Sequence, residues 1–236
     1  MRIAVMQPYL FPYIGYWQLI NAVDEFVILD DVNFIKRGYI NRNYILLDRK
    51  KYMFSLPIIK ASQNKLIMDT KILDDIKERE KLILTFKNAY RKCRYYENVM
   101  PLIEKIIRNS ETDLTEYIKY SIELIMQYLL IKTNIKKSSA INKDNSLKAQ
   151  DRIIEICKKE YADCYINPCG GRDLYDRASF EKNNMVLYFL DPQISQIRYK
   201  QKSDEFIAGL SIIDMMMNLS VEEIRELLIR YDLKKE

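Results

Sequence analysis

The chain has 236 residues, of which 48% are hydrophobic, so it is long enough for one large domain with a substantial core. Its 38 basic and 33 acidic residues give a net charge of +5 but are interspersed, which argues against nucleic acid as the main partner. The absence of histidine excludes histidine-based nucleophilic triads, histidine metal sites and the His-x-Gly-His signature of nucleotide binding.

The four cysteines do not form a metal-binding pattern. Cys164 and Cys169 are separated by four residues, and no second pair with ligand spacing matches them. We therefore expect reduced thiols and no metal ion. No apolar run approaches the roughly 20 residues that a membrane-spanning helix needs, and the chain begins directly with a strand pattern. These features predict a cytoplasmic protein without a membrane span or a signal peptide.

Residues 3–31 predict a strand, a helix and a second strand. The apolar run IAVM precedes a loop, Gly15 opens a helix, and the run EFVIL ends on Asp30 and Asp31. Such a unit predicts two adjacent parallel strands. Ligands of open parallel sheets bind outside the carboxyl ends of the strands, so the polar residues that follow both strands are the first candidates for a site.

The rest of the chain alternates between strand and helix patterns. Residues 44–47 and 52–57 predict a hairpin. Residues 70–133 predict a block of helices, one opening at Pro101 and a later one capped by Asp113. The α/β pattern then returns, and Ser220 with Glu223 predicts a capping box on the last helix.

Together these patterns predict an α/β fold with a parallel-sheet core, and the opening unit resembles the nucleotidylyltransferase or Rossmann-like type. We expect residues 1–236 to form a single domain, with residues 70–133 as a helical subdomain within it. Further strands are expected near Ile135, at 162–166 and at 185–190.

The loop after the first strand has an unusual composition of prolines, aromatic residues and one glycine. Its candidate substrate-binding residues are Gln7, Tyr9, Tyr13, Gly15 and Tyr16. The prolines stiffen the loop, Gly15 permits a close approach of the backbone to a ligand, and the tyrosines supply flat walls with polar tips. The alternative is a rigid connection between strand and helix whose rings close the core.

Asp30 and Asp31 could act as a base, a metal site or a ribose anchor. Alternatively, one caps the following loop and the other pairs with Lys36 or Arg37, which would keep that carboxylate ionised. Lys36, Arg37 and Arg42 cluster after the strand and could clamp a diphosphate, because guanidinium groups suit phosphate oxygens.

A second candidate loop follows the strand predicted at 162–166. Gly170 and Gly171 could cradle an anion with their backbone amides, flanked by Asn167 and Tyr175. The glycine spacing matches neither a Walker motif nor a dinucleotide-binding motif, so a plain turn is the alternative.

The segment MQPYLFPYIGYWQLINAVDEFVILDDVNFIKRGYINRN resembles the opening signature of the WbqC-like family of bacterial proteins. The later segments RIIEICKKEYADCYINPCGGRDLYDRASF and LSIIDMMMN resemble that family's second half, so the resemblance covers nearly the whole chain. Members of the family are associated with O-antigen and other surface-glycan gene sets and are described as glycine transferases.

The resemblance implies an N-aminoacyl (glycine) or N-acyl transferase that forms an amide on a nucleotide-linked or lipid-linked amino sugar in O-antigen (lipopolysaccharide) biosynthesis. It leaves the activated donor and the oligomeric state open. In that reaction Asp30 or Asp31 would accept the amine's proton, and Gln7, Asn41 and the backbone near Gly15 would hold the sugar or polarise the carbonyl.

Two alternatives remain at this stage. One is a sugar-nucleotide binding protein without catalytic activity. The other is an ATP-dependent amide ligase, because the opening unit also resembles the nucleotidylyltransferase fold. In that fold the segment Pro12-Tyr13-Ile14-Gly15-Tyr16 occupies the place of His-x-Gly-His.

Overall fold

Short apolar strands alternate with amphipathic helices along most of the chain, and they assemble into a sheet with helices on both faces. The computed structural model describes residues 1–235. The strands are β1 (Arg2–Met6), β2 (Glu25–Ile28), β3 (Arg42–Leu47), β4 (Lys50–Ser55), β5 (Asn134–Lys137), β6 (Cys164–Pro168), β7 (Val186–Asp191) and β8 (Asp232–Lys235). The helices are α1 (Ile14–Ala22), α2 (Ile76–Tyr90), α3 (Tyr96–Ile107), α4 (Leu114–Leu129), α5 (Ala149–Lys159), α6 (Arg177–Lys182), α7 (Ile212–Asn218) and α8 (Val221–Leu228).

The main sheet has six strands in the order β5-β2-β1-β6-β7-β8. The first five are parallel, and β8 pairs antiparallel with β7. Strands β1 and β2 are adjacent and parallel, with Ile3 opposite Glu25 and Met6 opposite Ile28, which confirms the prediction for residues 3–31. The strand order reverses between β1 and β6, and open α/β sheets bind their ligands near such a reversal.

The core lies on both faces of the sheet because side chains alternate along each strand. Ala4 and Phe26 project towards the face that carries α1, α7, α8 and the helical block α2–α4. Ile3 and Val27 project towards the face covered by α5 and α6. The predicted helical segment therefore shares one continuous core with the sheet.

Strands β3 and β4 form a separate two-stranded antiparallel sheet, as the hairpin pattern predicts. The hairpin is tied to the loop after β1 and to the start of α7. The amide of Ser211 donates to the carbonyl of Tyr44 at 2.8 Å, and the side-chain amide of Asn43 donates to the carbonyl of Leu10 at 3.0 Å. The hairpin thus extends the structure beyond the main sheet without adding a strand to it.

Capping residues in the sequence correctly predict where two of the helices begin. The side chain of Asp113 accepts a hydrogen bond from the Glu116 amide at 3.0 Å, and Ser220 and Glu223 form the predicted capping box. Pro101 is an exception, because α3 begins at Tyr96 and contains the proline in its interior. The missing amide costs one helical hydrogen bond, but the buried stripe of α3 begins before the proline, at Val99.

Candidate functional site

The loop after β1 is held in one conformation by hydrogen bonds to its backbone. The carbonyls of residues 10–12 accept bonds from three side chains outside the loop. The Asn43 amide donates at 3.0 and 2.9 Å, the Ser211 hydroxyl at 2.8 Å and the Trp17 indole at 3.0 Å. The loop is therefore a rigid connection that fixes the exit of β1.

The predicted ligand-binding residues of this loop contact mainly one another. Tyr16 is buried, and its hydroxyl donates to the Gln7 carbonyl at 2.9 Å. A β-carbon on Gly15 would lie 2.6 Å from the Tyr13 ring, so the close approach that this glycine permits is to that ring. The ring of Tyr9 packs against Tyr16 at 5.5 Å, and burial raises the pKa of Tyr9. Gln7, Tyr9 and Tyr13 remain half-buried at the carboxyl end of β1.

Asp30 is a buried carboxylate that joins the ends of two strands. Its Oδ1 accepts a hydrogen bond from the Ser139 amide at 2.9 Å, and its Oδ2 accepts one from the Ser139 hydroxyl at 2.6 Å. Burial raises the pKa of Asp30, although both bonds from Ser139 oppose that shift. Because both oxygens are engaged, Asp30 connects β2 to the segment after β5.

Asp31 is an ion-paired carboxylate. The Nζ of Lys143 lies 2.7 Å from its Oδ2, and the Nη1 of Arg152 lies 3.7 Å from its Oδ1. Arg152 also donates to the Asp31 carbonyl at 2.8 Å. The sequence offered Lys36 or Arg37 as an alternative partner for one of the two aspartates, but the cations that pair with Asp31 come from a segment more than 100 residues away. No local pattern in the sequence indicated Lys143 or Arg152.

A cavity of about 580 Å³ opens beside Asp31, in the size range of small-molecule sites. It lies beyond the end of β2, between the start of α5 and the turn at 169–174. Its lining residues are Leu29, Asp31, Val32, Asn33, Leu66, Lys148, Ala149, Gln150, Arg152, Ile153, Leu174 and Tyr175. We call it the edge cavity. Of the predicted site residues, Asp31 and Tyr175 line it.

The start of α5 supplies positive potential to the edge cavity. No side chain caps the helix, whose N-cap residue is Lys148, and Ala149 adopts a left-handed conformation with a φ of 45°. The first amides of a helix have no partner within the helix, and the helix dipole adds positive charge at the same end. This end of the cavity is therefore suited to an anion such as a phosphate.

The second predicted loop forms the opposite wall. The side chain of Asn167 is buried and accepts a hydrogen bond from the Tyr165 hydroxyl at 3.1 Å. A β-carbon on Gly171 would lie 2.3 Å from the Asn167 amide nitrogen, whereas a β-carbon on Gly170 would meet nothing within 4 Å. The hydroxyl of Tyr175 lies 3.2 Å from that of Tyr165, and burial raises the pKa of Tyr175. Asn167 and Gly171 thus shape the turn, and Tyr175 reaches the cavity.

The predicted phosphate clamp lies outside the edge cavity. The Nε of Arg42 donates to the Gly38 carbonyl at 2.9 Å, and its guanidinium also bonds the Arg37 carbonyl. The Asn41 amide donates to the Leu56 carbonyl at 2.9 Å. Arg42 and Asn41 therefore fasten their own segment, while Lys36 and Arg37 are exposed. Phosphate binding by this cluster stays a prediction.

Two further properties concern metals and membranes. Within residues 1–235, no three side chains of cysteine, aspartate or glutamate gather in a way that could hold a metal ion. Across the same residues, no helix combines the length and the apolar character required to cross a bilayer. All four cysteines are free thiols.

Comparison with known proteins gives a family. The model of the WbqC-like protein family matches residues 7–226. An uncharacterised protein of Mycobacterium tuberculosis is 23% identical to the chain over 223 residues, which cover 94% of this chain and 95% of the relative. No solved structure matches the chain.

Proposed function

The chain belongs to the WbqC-like protein family, and we propose that it is an N-aminoacyl or N-acyl transferase acting on a nucleotide-linked or lipid-linked amino sugar. The product is an amide of the sugar's amino group, as in O-antigen and other surface-glycan biosynthesis. The free cysteines are in keeping with a reducing compartment, so the proposal includes a cytoplasmic location.

The observation that carries the proposal is the edge cavity, whose walls contain a carboxylate and the positive start of a helix. Asp31 lines one wall, where its carboxylate is buried and paired with Lys143 and Arg152, and the uncapped start of α5 provides positive potential at another. An amino sugar linked to a diphosphate carries the complementary charges, an ammonium and a phosphate.

The reaction follows from where the charges lie. The bound ammonium first loses one proton to solvent. The neutral amine then attacks the carbonyl carbon of the activated donor, the new N–C bond forms, and the leaving group departs with its bonding electrons. Asp31 orients the amine and accepts its proton as the bond forms, a role that contributes about 10²–10⁴-fold in general base catalysis. Lys143 and Arg152 hold the Asp31 carboxylate in place.

The apolar lining and Tyr175 provide the remaining contacts. Leu29, Val32 and Ile153 keep water from the reacting atoms, and the Tyr175 ring offers a face for the sugar. Of the two aspartates that follow β2, Asp31 is the better candidate for the catalytic base, because Asp30 directs both oxygens to Ser139.

The test compares two ligands that differ only at the amine. Calorimetry on the purified chain measures the affinity for a nucleotide-linked amino sugar and for its N-acetylated counterpart. We expect the free amine to bind about 10- to 100-fold more tightly, since a charged hydrogen bond contributes about 1.5–3 kcal/mol. Asp31→Asn should abolish that preference and leave the affinity for the acetylated sugar unchanged.

Turnover is tested separately, by mass spectrometry of the sugar after incubation with activated glycine and other acyl donors. The transferase is supported if the parent chain increases the mass of the sugar by one acyl group and Asp31→Asn forms less of that product. Tight, amine-selective binding without any acylation across the donors would favour a sugar-nucleotide binding protein. Equal binding of both sugars by the parent chain would contradict the proposed site.

A further inference from the structure

A second and larger cavity, of about 640 Å³, lies away from the main sheet. It is formed by the β3–β4 turn, the end of α2, the segment 200–204 and the side of α7, and no residue of the six-stranded sheet lines it. We call it the basic cavity. It shares no lining residue with the edge cavity.

Cationic side chains outnumber carboxylates in the lining of the basic cavity. Arg49, which pairs with Asp204 at 3.0 Å, is one of five cationic side chains in its lining. The other four are Arg91, Lys92, Lys200 and Lys202. None of these four forms an ion pair with another side chain in the described part of the chain. Lys202 forms a hydrogen bond with the side chain of Cys93. The lining carboxylates left to balance them are Asp48 and Asp214.

A buried network holds the segment that carries the two lysines. Asp214 is 0% exposed and accepts hydrogen bonds from the hydroxyls of Tyr90 at 3.0 Å and Tyr199 at 2.6 Å, and from the Gln201 amide at 3.1 Å. The Gln201 side chain also accepts a bond from the Ile207 amide at 2.8 Å. Because Gln201 points inward, its two neighbours in sequence are held at the cavity.

This arrangement favours the binding of an anion in the basic cavity. Like charges held around one concave space repel each other, and a cleft lined by one sign of charge concentrates ligands of the other sign. Lysines on a free surface would move apart, but the anchored Gln201 restrains Lys200 and Lys202 on either side of it. Arg91 and Lys92 approach from the end of α2, a different element.

We propose that the basic cavity binds the diphosphate group of a small-molecule ligand. Arg91, Lys92, Lys200 and Lys202 bind the phosphate oxygens, and Asp214 acts as a positioning residue through Gln201. A diphosphate offers enough oxygens for four cations from two elements, whereas a single carboxylate does not. The site is independent of the transferase proposed for the edge cavity.

The test uses inorganic diphosphate, which contains no sugar or amine, and calorimetry at low ionic strength. We expect saturable binding to the parent chain, weakened about 10- to 100-fold in the double variant Lys200→Gln/Lys202→Gln, the range expected for charged hydrogen bonds. The matched control is Lys105→Gln/Lys158→Gln, which removes two exposed lysines outside both cavities and should leave the affinity unchanged.

The number of bound ions distinguishes the two cavities. If the edge cavity also takes diphosphate, the parent binds two ions per chain and the Lys200/Lys202 variant binds one. The proposal is overturned if the parent does not bind diphosphate, or if the Lys200/Lys202 variant matches the control in affinity and number. Because all four substituted lysines are exposed, circular dichroism should show unchanged folding.

Discussion

The ion pair of Asp31 and Lys143 gives the sharpest test of the site's structure. The side chains are 8% and 1% exposed, so neither charge can be solvated if the other is removed. Breaking a buried pair by removing one partner typically costs about 3–5 kcal/mol, because it leaves an uncompensated charge. We expect Asp31→Asn to lie near the lower limit, about 3 kcal/mol, since Lys143 keeps its bond to the Ser138 carbonyl.

The measurement is urea unfolding followed by circular dichroism. With a urea m-value of about 3 kcal/mol/M for a chain of this size, a loss of about 3 kcal/mol lowers the midpoint by about 1 M. Lys143→Met should destabilise by a similar amount, because Asp31 then keeps only the more distant Arg152. The double variant should lose much less than the sum of the single variants, with a coupling energy of about 2–3 kcal/mol.

The control is Glu181→Gln, which breaks the exposed pair of Arg177 and Glu181 within α6. Those side chains are 56% and 53% exposed, and such a pair contributes at most about 0.5 kcal/mol. If Asp31→Asn shifts the midpoint no more than Glu181→Gln does, or if Lys143→Met does not rescue it, the pair is not coupled as the structure indicates.

Three further predictions concern the surrounding structure. Gly171→Ala should destabilise by about 1–3 kcal/mol, because its β-carbon displaces the Asn167 amide and its buried hydrogen bond, whereas Gly170→Ala should stay within about 0.5 kcal/mol in the same urea assay. The raised pKa of Asp30 means that the folded state binds this proton more tightly than the unfolded state. The stability of the parent relative to Asp30→Asn should therefore fall as the pH rises above the ordinary value of 3.8, as urea titrations up to neutral pH would show, and a rising difference would refute it. Ser220→Ala should lower the free energy of unfolding by about 1 kcal/mol through loss of the capping box. An unchanged melting temperature on thermal unfolding would contradict that role.

Much of the fold was predictable from local patterns. The apolar runs around α1 predicted β1 and β2 as parallel neighbours, and the caps at Asp113 and Ser220 predicted where α4 and α8 begin. These signals are local because a strand or cap is defined by residues close in sequence. Strand β8 escaped prediction because its four residues are exposed and largely polar, and it becomes a strand only by pairing with β7.

The sequence by itself therefore determined the α/β class, the opening parallel pair and the polar segments that follow those strands. Only the tertiary structure showed that the two aspartates have different surroundings. The oxygens of Asp30 are bound by Ser139, whereas Asp31 lines the edge cavity beside Lys143 and Arg152. Ser139 lies 109 positions from Asp30 in the sequence, and Arg152 lies 121 positions from Asp31. Contacts across such separations depend on how the strands are ordered in the sheet, and no pattern of neighbouring residues records that order.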